Sequence, residues 1–102
     1  MAVSMQVIYP ITDETKFDYD YYLSTHMGLV GEHMGEHIDS TVVTKGVAGG
    51  PDVPPSIHAV ATIVFADQAA MNAALAKSGP VVGDIPNFYN AKPTVLFGEV
   101  VA

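Results

Sequence analysis

The sequence predicts an α+β protein of the ferredoxin-like type, with the element order β-α-β-β-α-β, a four-stranded antiparallel sheet and two helices on one face. Two observations predict it. Four strand-like runs rich in β-branched residues alternate with two segments of helical periodicity. In addition, 102 residues of which 49% are hydrophobic and 15% charged form one domain, 1–102, with more apolar side chains than a small monomer hides.

The first half of the chain contains one strand and one helix. Val3 to Tyr9 is β-branched and aromatic, and Pro10 follows it, which is typical of a strand that ends there. Asp18 or its neighbour is an expected N-cap for a helix from Tyr19 to Met34. Gly35 provides the C-terminal stop of that helix.

The second half begins with two strands. Residues near His37 to Val47 predict the second strand, and the Gly/Pro-rich segment Ala48 to Pro55 is a loop. Ile57 to Phe65 is apolar at both alternating sets of positions, which is the pattern of a strand buried on both faces. Because the two helices cover only one face of the sheet, we expect a second copy to cover the other in a two-fold homodimer.

A helix and a strand complete the chain. Asp67 caps an Ala-rich helix that stops at Gly79. Pro80 to Ala91 is expected to form an ordered loop or short turn, and Pro93 to Val101 the last strand.

Composition excludes several classes of function. The net charge is −7, with four lysines and no arginine, so nucleic acid and phosphorylated substrates are poor candidates and a neutral or aromatic small molecule fits better. The absence of cysteine excludes thiolate chemistry and iron–sulfur clusters. The apolar start MAVSMQVIYP is too short to span a bilayer and lacks a basic region, so we expect a cytoplasmic protein without membrane association.

The first helix carries histidines on its apolar side. A projection at about 100° per residue puts His26 and His33 in the stripe that faces the sheet, whereas the polar side holds no histidine. Buried imidazoles and phenols need hydrogen-bond partners, which a polar-lined pocket would supply; simple core residues bonded to the backbone are the open alternative. Within about 60° of His26 lie Tyr19, Tyr22, Leu23, Leu29, Val30 and His33, with Met27 and Met34 at the edge.

A metal site is the less favoured interpretation of the segment THMGLVGEHMGEHI. His33 and His37 have the i, i+4 spacing of a chelating pair, but Gly35 between them is expected to end the helix. His37 would then enter the next strand, and no third ligand accompanies the pair. We therefore predict no metal site.

The chemistry that remains is acid/base catalysis by histidine, because no nucleophile-elbow motif is present. In the late loop, Asp84, Asn87 and Asn90 could orient a ligand, while Phe88 and Tyr89 could form a wall. The alternative is that the Asp and Asn side chains only hydrogen-bond the backbone of the loop itself, as they commonly do in turns.

Three segments together resemble the EthD-domain family. FDYDYYLSTHM, from Phe17 to Met27, is similar to the family signature F-D-x-x-Y-Y-x-x-x-H, and DIPNF, Asp84 to Phe88, and GEV, Gly98 to Val100, resemble later parts of it. The likeness covers nearly the whole chain. It departs at Gly28, where the family commonly has proline.

This resemblance implies a dimeric α/β barrel with a cavity between sheet and helices, and one of two functions. The first is the binding of a small hydrophobic or aromatic molecule, with cofactor-free decarboxylation, dehydration or cyclisation as its chemistry, a lyase or cyclase activity. The alternative is a non-catalytic accessory protein or ligand carrier for a P450-type oxidoreductase system, the setting from which the family takes its name and some members the label oxidoreductase.

The resemblance and the projection together assign roles to particular residues. His26 is expected to be the general acid/base and Tyr22 its hydrogen-bonding partner or a proton donor. The residues expected to contact the ligand are Tyr19, Val30, His33, Asn87 and Phe88. No metal or other cofactor is expected.

Overall fold

The computed structural model describes residues 1–102 and contains four strands. They are β1 (Val3–Pro10), β2 (Ser40–Lys45), β3 (Ile57–Phe65) and β4 (Thr94–Glu99). They form one antiparallel sheet in the order β2-β3-β1-β4. This arrangement confirms the predicted α+β ferredoxin-like fold.

The helical residues form two groups. The first runs through residues 19–37 and consists of α1 (Tyr19–Tyr21), a π-helical turn (Tyr22–His26), α2 (Met27–Met34) and a 3₁₀ turn (Gly35–His37). The second contains α3 (Gln68–Leu75), α4 (Gly79–Asp84) and a 3₁₀ turn (Ile85–Asn87). No helix is both long and apolar enough to cross a bilayer.

Both predicted N-caps are confirmed. The Asp18 carboxylate accepts a hydrogen bond of 3.0 Å from the backbone N–H of Tyr21. The Asp67 carboxylate accepts one of 2.8 Å from the backbone N–H of Ala70. Each bond satisfies one of the backbone donors that a helix leaves unpaired in its first turn.

Two boundary predictions were wrong. The segment from Pro80 to Ala91, predicted as an ordered loop or short turn, contains most of α4 and a 3₁₀ turn, because Pro80 stands in the first turn, where its missing N–H costs nothing. Helical structure also continues past Gly35 to His37, so this histidine ends the helical segment and does not begin β2.

The predicted stripe of the first helix was wrong in two places. Leu23 is 60% exposed, and Met34, predicted at the edge, is 1% exposed. The buried residues recur every four positions, at Tyr22, His26, Val30 and Met34. A π-helical turn advances by less than 100° per residue, because its hydrogen bonds span five residues, so the constant angle of the projection fails across it.

The core lies between the helices and one face of the sheet. The residues in its centre come from alternate positions of β1 and β3 and from α2, α3 and α4, and include Met5, Val30, Ile63, Phe65 and Met71. A second cluster, rich in aromatic rings, surrounds Tyr9 and Tyr22 at the other end of the helices. The edge strand β4 is exposed along its whole length, since no helix covers it.

Candidate functional site

The π-helical turn places two aromatic side chains of the candidate site against each other. The backbone N–H of Met27 donates to the carbonyl oxygen of Tyr22, five residues earlier. The rings of Tyr22 and His26 stack with centroids 5.2 Å apart and an angle of 22° between their planes. π-Helical turns occur often at functional sites.

Asp84, the last residue of α4, holds the imidazole of His26 in place. His26 Nδ1 lies 3.0 Å from Asp84 Oδ2, and both residues are buried. The other carboxylate oxygen, Oδ1, accepts hydrogen bonds of 2.5 Å from the Tyr21 hydroxyl and 2.9 Å from Asn87 Nδ2. The Phe88 ring, 4.4 Å from the imidazole between centroids, contributes to the packing around it.

These bonds keep the carboxylate ionised. Burial acts to raise the pKa of Asp84, but the hydrogen bonds from Tyr21, Asn87 and His26 outweigh it and lower that pKa below its usual value. An ionised carboxylate can only accept, so the proton between the two side chains is on His26 Nδ1. The neutral ring therefore presents an unprotonated Nε2.

The neutral form of His26 is favoured by its surroundings. Burial lowers the pKa of this imidazole below the usual value, and Asp84 opposes the change only in part. No fully buried side-chain nitrogen or oxygen in the protein lacks a hydrogen-bond partner. His26 Nε2 has no partner within the chain, so it is accessible from the space in front of it.

That space is a cavity of about 270 Å³ between the helices and the sheet. Fifteen of its eighteen lining residues are hydrophobic, and Tyr9, Tyr22 and His26 line its buried part. Val82 of α4 and Phe97 of β4 are exposed lining residues. The cavity therefore opens to solvent between α4 and the uncovered edge strand.

Two tyrosines, Tyr9 and Tyr22, lie together at the buried part of the cavity and interact through their hydroxyls. Burial raises the pKa of Tyr22 to about 12, although an interaction with the Tyr9 hydroxyl opposes the change. Burial also raises the pKa of Tyr9, and Tyr22 adds to that increase. Both phenols therefore stay protonated at neutral pH, and the Tyr22 proton is left free to donate a hydrogen bond.

Some of the residues predicted for the site lie together and others do not. Tyr22, His26 and Val30 line the cavity. Asn87 and Phe88 lie behind His26, where they contact Asp84 and the imidazole ring.

The two remaining predicted residues do not line the cavity. The Tyr19 hydroxyl donates to the carbonyl oxygen of His58 at 2.8 Å. His33 is half-buried and lies outside the set of lining residues. His37, four residues after His33, lies 3.2 Å from a carboxylate oxygen of Glu36, and no group of three or more potential metal ligands comes together in the fold.

Two residues of the site, Tyr9 and Tyr21, were not among those predicted from the sequence. Tyr9 alternates with Met5 and Val7 along β1, and that period places all three on the helix-facing side of the sheet. Tyr21 lies next to the predicted Tyr22, but no sequence signal indicated that its hydroxyl bonds to a residue 63 positions later. These contacts depend on the position of α4.

The protein is expected to lose stability between pH 7 and pH 5.5. The pKa values of both His26 and His58 are lowered by burial, so the unfolded chain binds more protons than the folded one below about pH 6.5. Urea unfolding followed by circular dichroism should show a free energy of unfolding that falls in this window, and the double variant His26→Gln/His58→Gln should show a flatter profile. A wild-type stability that rises on acidification would contradict this prediction.

Comparisons with known proteins agree with this fold. No protein-family model and no curated protein matches the sequence. An EthD-like protein from Ralstonia eutropha is 30% identical, with a TM-score of 0.89 over 99% of this chain and 93% of that one. An ethyl tert-butyl ether (EthD) family protein from Bacillus halodurans is 20% identical, with a TM-score of 0.78 over 99% and 100%.

A more distant structure shares only the fold. A protein of unknown function from Bacteroides fragilis, described as dimeric and ferredoxin-like, is 11% identical, with a TM-score of 0.58 over 97% of this chain and 96% of that one. The ferredoxin-like fold is therefore found in proteins of widely different sequence.

Proposed function

The chain belongs to the family of EthD-like proteins, and from that premise we propose that it binds one small hydrophobic or aromatic molecule in the cavity between helices and sheet. The observation that carries the proposal is the unpaired His26 Nε2 in a cavity with otherwise apolar walls. Concave, largely apolar sites with few polar groups are typical of small-molecule binding.

The proposed chemistry is acid/base catalysis without a cofactor. His26 Nε2 accepts a proton from the bound molecule, and Asp84 stabilises the imidazolium that results, as carboxylates do for catalytic histidines. The same nitrogen returns the proton to a different atom of the molecule. Tyr22, a neutral donor beside it, stabilises negative charge that develops on a ligand oxygen. Dehydration and cyclisation of a neutral molecule fit this sequence of proton transfers, and decarboxylation fits it when the acid binds in its protonated form.

His26→Ala is expected to lower turnover of a true substrate by about 10²-fold or more, because general acid/base catalysis typically contributes that much. Candidate substrates are enolisable aromatic ketones and aromatic hydroxy ketones, tested by chromatography of the products. His33→Ala is the matched control, since this histidine lies outside the cavity, and it should keep wild-type turnover.

Unchanged turnover in His26→Ala, together with weaker binding, would defeat the catalytic proposal. That outcome would favour the second function, a ligand carrier that serves a P450-type oxidoreductase. Absence of binding by any apolar compound would contradict both.

We also propose that the uncovered face of the sheet packs against a second copy of the chain. Residues paired across neighbouring strands share a face, and the face opposite the helices carries no aspartate, glutamate or lysine. An uncharged sheet face in a chain of net charge −7 is what a homodimer interface requires. Its residues include Ser4, Gln6, Ile8, Val42, Thr44, Val60, Thr62, Val64, Thr94 and Leu96.

Val42→Lys is expected to convert the dimer into a monomer, because it buries a charge at the proposed interface. Light scattering coupled to size-exclusion chromatography measures the mass directly. Leu23→Lys is a matched control: Leu23 is 60% exposed and Val42 61%, but Leu23 lies on the helical side. The control should remain dimeric, and a monomeric wild type would overturn the proposal.

A further inference from the structure

The polar groups of the cavity form a small and specific set. His26 supplies the only nitrogen among the lining side chains, and its Nε2 is a hydrogen-bond acceptor because Nδ1 holds the proton. The hydroxyl of Ser78 already donates to the carbonyl oxygen of Leu75 at 2.8 Å. The Tyr9 hydroxyl interacts with that of Tyr22, so the free hydrogen-bonding capacity is one nitrogen acceptor beside one phenolic donor, Tyr22.

The cavity contains no positive charge that could bind an anion. No lysine lines it, the chain has no arginine, and the carboxylate of Asp84 lies directly behind His26. Desolvating an unpaired carboxylate or phosphate in such a site is costly. A neutral ligand is therefore favoured over an acid that ionises at neutral pH.

The size and the walls of the cavity favour an aromatic ring. An apolar cavity of about 150 Å³ binds benzene, so 270 Å³ leaves room for a ring with a short side chain, about ten to twelve non-hydrogen atoms. Three methionines, Met5, Met27 and Met34, contribute to the lining. Thioether sulfurs make favourable contacts with aromatic rings.

We propose that the ligand is a neutral phenol that donates its O–H to His26 Nε2 while its ring and side chain fill the apolar part of the cavity. This inference rests on the proposed binding function and specifies its chemistry. The Tyr22 hydroxyl can donate to the same ligand oxygen, so the phenol oxygen is both donor and acceptor in the site. An ether at that position can only accept, and His26 Nε2 would be left unpaired.

The proposal is tested with four probes of one shape: 4-propylphenol, its methyl ether, propylbenzene and 4-propylbenzoate. Calorimetry with the wild-type protein at pH 7.5 should give the tightest binding for the phenol, by about three- to tenfold over the ether and the hydrocarbon. The carboxylate should bind most weakly. Equal affinity for phenol and ether, or tightest binding of the carboxylate, overturns the proposal.

Asp84→Asn provides a second test, because it should weaken the preference for the phenol over its methyl ether. Asp84 Oδ1 accepts from both Tyr21 and Asn87, so the amide oxygen of the variant takes that position and its NH₂ group faces His26 Nδ1. The imidazole then carries its proton on Nε2 and becomes a donor toward the cavity. The methyl ether should gain relative to the phenol, and ¹⁵N chemical shifts of His26 should report the change of tautomer.

The outcomes distinguish this inference from the proposed function. If propylbenzene binds as well as the phenol in the wild type, the cavity is a binding site but does not select phenols. If none of the four probes binds, the binding function itself is contradicted. If the His26 tautomer changes in Asp84→Asn while the preference among the probes does not, His26 is not the group that recognises the ligand.

Discussion

Asp84→Ala is expected to lower the free energy of unfolding by about 3 kcal/mol, one of the two largest effects that this structure predicts. The substitution removes the acceptor of three hydrogen bonds, from His26, Tyr21 and Asn87. His26 is the most affected, because its Nδ1 is buried 3.0 Å from the carboxylate and cannot turn to water. Tyr21 and Asn87 lie nearer the surface, where water replaces part of what they lose. Urea unfolding followed by circular dichroism measures the difference.

The substitution Asp67→Ala is the control for Asp84→Ala. It shows how much the free energy of unfolding falls when an aspartate outside the buried network is removed. Asp67 is an exposed N-cap that accepts one backbone hydrogen bond, and its removal should cost about 1 kcal/mol. If Asp84→Ala costs no more than Asp67→Ala, the buried network does not contribute to stability as described. Asp84→Asn should fall between the two, since its amide still accepts from Tyr21.

Val30→Phe is expected to abolish ligand binding while leaving the free energy of unfolding within about 1 kcal/mol of the wild-type value. Val30 lies on α2 and lines the cavity, so the larger ring enters space that no side chain fills. The expected loss of affinity for 4-propylphenol exceeds tenfold, because ring and ligand compete for the same volume. Calorimetry measures the affinity, and thermal unfolding reports the stability.

Val47→Phe makes the same change at an exposed position of the loop between β2 and β3, and should bind as the wild type does. Retained affinity in Val30→Phe would mean that the ligand binds elsewhere. A large loss of stability would mean instead that the walls around Val30 are too rigid to admit the ring.

The strands were the most predictable part of the fold. β3 was predicted with its observed bounds, Ile57–Phe65, because a continuous apolar run flanked by loop residues allows few alternatives. The caps at Asp18 and Asp67 were equally predictable, since each depends on one side chain and the backbone within three residues of it. These features are set by local chemistry.

The helical stripe was less predictable, because a single turn of different geometry changes which residues face the sheet. Nothing in the residues Tyr22–His26 indicates a π-helical turn, and the projection consequently placed Leu23 in the stripe. Among the site residues, Tyr22, His26 and Val30 were found from that projection because they lie near its centre. Asp84 could be named as a polar residue of a loop, but its bond to His26 joins positions 58 residues apart and depends on how α4 packs.

The extra residue in the helical turn at Tyr22–His26 also affects how this chain should be compared with its relatives. A sequence alignment that treats residues 19–37 as one regular helix assumes that each residue adds the same rotation about the helix axis. The π-helical turn breaks that assumption, so side chains before and after it do not keep the same relative direction. A relative with an ordinary α-helical turn here would align correctly at either Tyr22 or His26, and would be displaced by one residue at the other. The two parts of the helix should therefore be superposed separately before site residues are transferred between members of the family.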